Sequence, residues 1–184
     1  MHRSPTVGLA AVSDAFALVR DGVDGLTDDA ARGGSLLPGW TRGHVVTHLA
    51  RNADGNRNMV EGAIAGDERE QYPGGAERRA ADIEDGAGRS AAELLADLGS
   101  SHDALVAAWD RLPDDGWEQI GISFALGARP IIDGLASRRR ELLVHLVDLD
   151  VGFDPTDLPA DFVADHAEWL RAFRTVDTWR GAPL

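Results

Sequence analysis

Apolar residues recur at intervals of three and four along several long stretches of this chain, and only one short stretch alternates. That spacing lines them along one side of an α-helix, so the chain must bury helical stripes against one another. The first stripe is Leu9, Val12, Phe16, Val19, Val23 and Leu26, introduced by the capping hydroxyl and first-turn proline of Ser4-Pro5. Thr41 can cap a second helix that runs to about Gly66, with Val45, Leu49, Ala53, Val60 and Ile64 on its stripe. Ser90-Ala-Ala-Glu93 fits a capping box. It opens a third helix carrying Leu94, Leu95, Leu98, Leu105, Val106 and Trp109, which ends before Pro113. A fourth runs from about Pro130 or Asp133 to Asp150, with Ile131, Leu135, Leu142, Leu146 and Leu149. Leu158-Pro159 opens a fifth with Phe162, Val163, Trp169, Leu170 and Phe173.

Residues 27–39 read as a polar, glycine-rich connection. Residues 67–89 form a long connection with room for a short helix over 76–83; ordered loops of such length are often functional. In residues 114–129, Ile120, Ile122 and Phe124 alternate weakly. One short strand has no evident partner, so this segment reads as a loop crossing the end of the bundle. The expected architecture is all-α: an antiparallel four-helix bundle with an additional C-terminal helix, forming one domain over residues 1–184.

Composition narrows the function. The net charge is −13, and the dense basic runs are only Arg138-Arg139-Arg140 and Arg78-Arg79. Such a surface repels nucleic acid. No apolar run approaches the ~20 residues that cross a bilayer, and the N-terminus lacks the apolar core of a secretion signal, so a cytoplasmic location is expected. There are no cysteines. Disulfides, thiolate ligands and a protein thiol nucleophile are excluded, and any thiol chemistry needs a thiol carried by a small molecule. The chain is expected to act on a small molecule as a monomer or weak homo-oligomer.

One constellation points to a metal. Glu141 and His145 lie four residues apart on the fourth helix, so both face the same way one turn apart. An oxygen and an imidazole nitrogen so placed can chelate one ion, with a third ligand from another helix. The second helix offers His44 and His48. At roughly 100° per residue His48 falls beside the apolar stripe and His44 about 40° further out, which favours His48. Two histidines and a glutamate suit zinc with a position left open, although other first-row metals accept the same donors. Asn52 and Asn56 continue the line of His48 and can hydrogen-bond a substrate. Arg78, Arg79 and Arg89 can grip carboxylates. Asp148, one turn beyond Glu141 and His145, can support a ligand or serve as a spare one, but the simpler reading, preferred here, is a surface acid near the helix end. His2, His102 and His166 read as structural or exposed, and Trp40, Trp109, Trp117 and Trp169 as core.

Longer motifs carry a resemblance. Gly39-Trp-Thr-Arg-Gly-His-Val-Val-Thr-His-Leu-Ala-Arg-Asn-Ala-Asp54, Ile83-Glu-Asp-Gly-Ala-Gly-Arg89 and Arg138-Arg-Arg-Glu-Leu-Leu-Val-His-Leu-Val-Asp-Leu-Asp150 resemble the metal-binding domain of mycothiol-dependent maleylpyruvate isomerases. The likeness continues through Gly152-Phe-Asp-Pro and Asp157-Leu-Pro-Ala-Asp-Phe162. It implies a DinB-like four-helix bundle that holds zinc through His48, Glu141 and His145. It further implies a cis–trans isomerase of gentisate degradation that converts maleylpyruvate to fumarylpyruvate with mycothiol as thiol cofactor. In that chemistry the zinc-held thiolate adds to the cis double bond, the resulting single bond rotates, and expulsion of the thiol leaves the trans product. Enzymes of the family carry a further small C-terminal domain, and this chain is expected to end where that domain begins. The alternatives are a zinc-dependent mycothiol S-transferase acting on electrophiles and a non-catalytic metal-binding bundle.

Overall fold

Helix α3 (Arg42–Ala65) is the element on which the others are laid. Its start is fixed by Thr41, whose Oγ1 accepts the His44 N–H while the His44 ring accepts the Thr41 N–H. Its end is fixed by Gly66 in the left-handed conformation, φ 75°. The computed structural model describes residues 4–166. Before α3 come α1 (Pro5–Val23) and the short α2 (Asp28–Arg32); after it come α4 (Gly75–Ala87) and α5 (Ala91–Asp110). Strands β1 (Ile120–Ser123) and β2 (Gly127–Pro130) precede α6 (Asp133–Asp148) and α7 (Ala160–Asp165). α3 packs against α4, α5 and α6, and α1 packs against α6. Leu49, Leu94, Leu98, Leu105, Leu142 and Leu146 are sealed between these helices. No helix among the described residues is long and apolar enough to cross a membrane.

The helical bundle follows the periodicity closely, and Ser90 and Glu93 form the expected capping box. Four details differ. Ser4 stands at the start of α1, but its side chain makes no capping bond. α1 stops at Val23, and Thr27 caps α2 inside the expected connection. α4 is longer than residues 76–83. Finally, residues 114–129 do not simply form a loop: β1 pairs antiparallel with β2, Ile120 opposite Pro130. The partner strand Gly-Ala-Arg-Pro has no alternation of its own, because it lies largely at the surface, where neither face has to be apolar.

The hairpin is pinned beside the bundle. Ile122 N–H donates to Arg69 O at 3.0 Å, and Gln71 N–H donates to Ile122 O at 2.8 Å. Gly121 lies so close to α3 that a side chain there would meet Met59 Cβ at 3.0 Å. These contacts lead the chain past the hairpin and deliver Tyr72 to the face of α3. At the other side, Gly43 lets the C-terminal end of α4 approach α3, since any side chain there would run into Ala87 O. Phe162 of α7 is fully buried. Trp169, Leu170, Phe173 and His2 lie outside the described residues.

Candidate metal centre

Three buried side chains from two helices converge at the centre of the bundle. His48 comes from α3; Glu141 and His145 come from α6. One ligand atom from each lies within 4.8 Å of the others. His48 Nε2 stands 3.0 Å from Glu141 Oε2, and His145 Nε2 stands 3.7 Å from the same oxygen. The two imidazoles meet edge to face at 4.5 Å. His44 is turned outward, between Thr41 and Glu84, as the helical geometry requires.

The donor set fits a cation. His145 Nδ1 donates to Asp148 Oδ2 at 2.8 Å, which turns Nε2 towards the other two side chains of the cluster. That Nε2 is buried and has no hydrogen-bond partner. An orphaned buried nitrogen is costly unless something else binds it. Asp148 is therefore not the surface acid expected from its place near a helix end. It is buried, 2% exposed, and forms the carboxylate–histidine pair that steadies ligand histidines in metal sites.

Burial and neighbouring charges separate the two histidines. Burial pushes His48 down to about 4, aided by the charge of His145 and against the Glu141 hydrogen bond. Burial also opposes protonation of His145, but the hydrogen bond and charge of Asp148 and the adjacent Glu141 carboxylate outweigh it and raise that ring to about 9. Burial works against ionising Glu141 too, yet the adjacent His145 ring and the His48 hydrogen bond hold it well below the usual carboxylate range. In the metal-free protein an ionised Glu141 faces a protonated His145. A cation bound by these side chains would have to replace that proton.

A family model described as the mycothiol maleylpyruvate isomerase N-terminal domain matches residues 12–150. The chain belongs to this family. A crystal structure of the mycothiol-dependent maleylpyruvate isomerase superposes with a TM-score of 0.85 at 24% identity, covering 91% of this chain and 69% of that one. The structure of a histidine-to-alanine mutant of that enzyme gives 0.85 at 23% identity, covering 92% and 72%. Both likenesses show a shared fold. No curated protein matches the chain.

Around this family member's triad the remaining expected residues separate. Asn52 and Asn56 are both buried, one and two turns along α3 from His48, and Asn56 Nδ2 donates to Asn52 O at 2.8 Å. Arg79 reaches His48 directly, Nη2 to Nδ1 at 3.0 Å. Arg78 is turned outward and pairs with Asp82 at 2.9 Å. Arg89 pairs with Asp97 at 2.6 Å and bonds Gly86 O. It ties α4 to α5, and the structure does not bring it to the triad. Trp40 lies beside His48, ring centres 5.8 Å apart, whereas Trp109 and Trp117 are core. His102 is buried and stacked on Phe16.

Two residues next to the site were not singled out from sequence. Arg138 belongs to the short basic run of residues 138–140, but it is completely buried. Its position three residues before Glu141 was the available signal, since that spacing returns to the same helix face. Tyr72 lies in a connecting segment, and no sequence pattern marks it.

Proposed function

We propose that this chain is a zinc- and mycothiol-dependent cis–trans isomerase that converts maleylpyruvate to fumarylpyruvate in gentisate breakdown. The observation that carries the reading is the buried His48–Glu141–His145 cluster with its orphaned His145 Nε2, in a chain matched by the isomerase family model. The absence of cysteine agrees with a thiol brought from outside. A zinc ion held by the three side chains supplies a Lewis acid that keeps a bound thiol as thiolate near neutral pH.

The protein's own residues do the rest. Asp148 holds His145 with Nε2 aimed at the ligand cluster. Glu141, kept ionised, supplies negative charge that a divalent cation requires. Asn52, Asn56 and Arg79 line the α3 side and orient a polar, doubly charged substrate, with Arg78 further out. The working site is a small-molecule site in a cytoplasmic enzyme.

The test is turnover. Maleylpyruvate mixed with zinc-loaded protein and mycothiol should yield fumarylpyruvate, followed by proton NMR, with no reaction when mycothiol is omitted. A stable thioether in place of the trans product would assign the chain to S-transfer. No reaction of either kind would leave a metal-binding bundle without catalysis.

A further inference from the structure

Tyr72 is the one tyrosine of the chain, and the site described above makes no use of it. Its ring lies against the Arg79 guanidinium, 5.4 Å from carbon to centroid, and Phe124 of the hairpin meets it edge-on at 5.5 Å. Its hydroxyl reaches inward to Asn52, whose Nδ2 is 3.4 Å away.

The polarity of this bond follows from Arg138. Its Nη1 stands 2.8 Å from Asn52 Oδ1 and 2.8 Å from Leu49 O. A guanidinium has donors only. The amide oxygen of Asn52 must therefore face Arg138, and the amide nitrogen must face Tyr72. The hydrogen-bond partner of the phenol oxygen among the described residues is thus a donor, and the phenol oxygen accepts from it. No acceptor among the described residues takes the phenol's own hydrogen. Burial, with the negative charge of Glu141 nearby, raises the Tyr72 pKa and keeps that hydrogen in place.

The hydrogen is available one layer from the triad. Asn52 follows His48 by one turn of α3, and Arg138 precedes Glu141 by nearly one turn of α6. Arg138 also keeps Nε and Nη2 buried without partners, so positive charge gathers around a hydroxyl that lacks an acceptor. We propose that the Tyr72 hydroxyl donates a hydrogen bond to a carboxylate oxygen of a small diacid bound beside the triad, and that Arg138 acts through Asn52 to aim it. This assignment rests on the diacid-isomerase reading above and adds the group that recognises the substrate's charge.

The experiment uses maleate, an unreactive cis diacid, as probe on the zinc-loaded 184-residue chain, with maleylpyruvate turnover measured alongside. Tyr72→Phe removes the hydrogen and keeps the ring. Asn52→Asp replaces the donor with an acceptor that captures the phenol hydrogen while leaving Tyr72 itself present. Each variant should keep its zinc and weaken maleate binding about ten- to a hundredfold, the range of a hydrogen bond to a charged group. In the wild type, maleate should produce an ultraviolet difference band from the single tyrosine; Asn52→Asp should lose that band. Tyr72→Phe binding maleate as tightly as the wild type, or Asn52→Asp keeping both affinity and band, would overturn the assignment of Tyr72 while wild-type turnover still supports the isomerase. A wild type that neither binds maleate nor isomerises would overturn the functional reading and this inference with it.

Discussion

Asp148 Oδ2 accepts the Nδ1 hydrogen of His145 at 2.8 Å, and both side chains are buried. The bond fixes the His145 ring and leaves Nε2 to face the cluster. Replacing Asp148 with alanine frees the ring and removes a negative charge near the cation. The expected result is a ten- to hundredfold loss of zinc affinity, about what such partners contribute elsewhere. Asp148→Asn, which can still accept the hydrogen bond, should lose less. A competition titration against a chromophoric chelator measures both.

The pH dependence follows from the two histidines. His48, at about 4, is neutral near pH 7. His145, at about 9, holds a proton there that a metal must displace. Zinc affinity should therefore rise about tenfold per pH unit towards pH 9 and level off above it. The metal-free fold should behave oppositely. Its His145 pKa lies above the ordinary 6.5, so the stability that ring contributes is fully present below 6.5 and lost as the pH rises through about 9. Zinc titrations and thermal melts of the chelator-treated protein across this range check the two signs; a flat zinc affinity would contradict the assignment.

Arg79 and a metal held by the triad would compete for the same ring. His48 Nδ1 accepts from Arg79 while its Nε2 faces Glu141. Coordination through Nε2 places a hydrogen on Nδ1, and arginine cannot accept it. Arg79→Gln removes a cation and offers an acceptor, so zinc affinity should rise about tenfold while turnover of maleylpyruvate falls. Equal or weaker zinc binding in this variant would show that Arg79 does not oppose the metal.

What could be read from the residues was whatever local rules control. Apolar spacing gives the helices, Thr41 and Ser90 give two of their starts, and Glu141 with His145 on one face gives half of the candidate site. His48 was separable from His44 by helical geometry alone. The features that escaped depend on contacts between distant segments. β2 exists because β1 is there to pair with it. Asp148 is buried because the connection after α2 crosses the end of α6, where Leu36 N–H bonds Asp148 O at 2.8 Å. Tyr72 reaches Asn52 because the hairpin holds residues 69–71 against it. Arg138 sits in a run of three arginines, and the run itself does not show which of them is sealed inside the bundle.

The approach of α4 to α3 also has a checkable cost. α4 carries Arg79, and at Gly43 the two helices approach too closely for a side chain to fit between them. Gly43→Ala places a methyl against Ala87 O and should destabilise the fold by about 1–3 kcal/mol. Denaturant unfolding with unchanged slope would measure it, and an unperturbed midpoint would show that the helices can separate freely there.

The central claim is that His48, Glu141 and His145 together hold one metal ion. Elemental analysis of the purified chain, before and after zinc supply, tests it most directly when repeated on His48→Ala and Glu141→Gln. The account predicts about one zinc per wild-type chain and little or none in either variant, with both variants still folded by circular dichroism. A wild type that takes up no zinc, or variants that retain it in full, would contradict it.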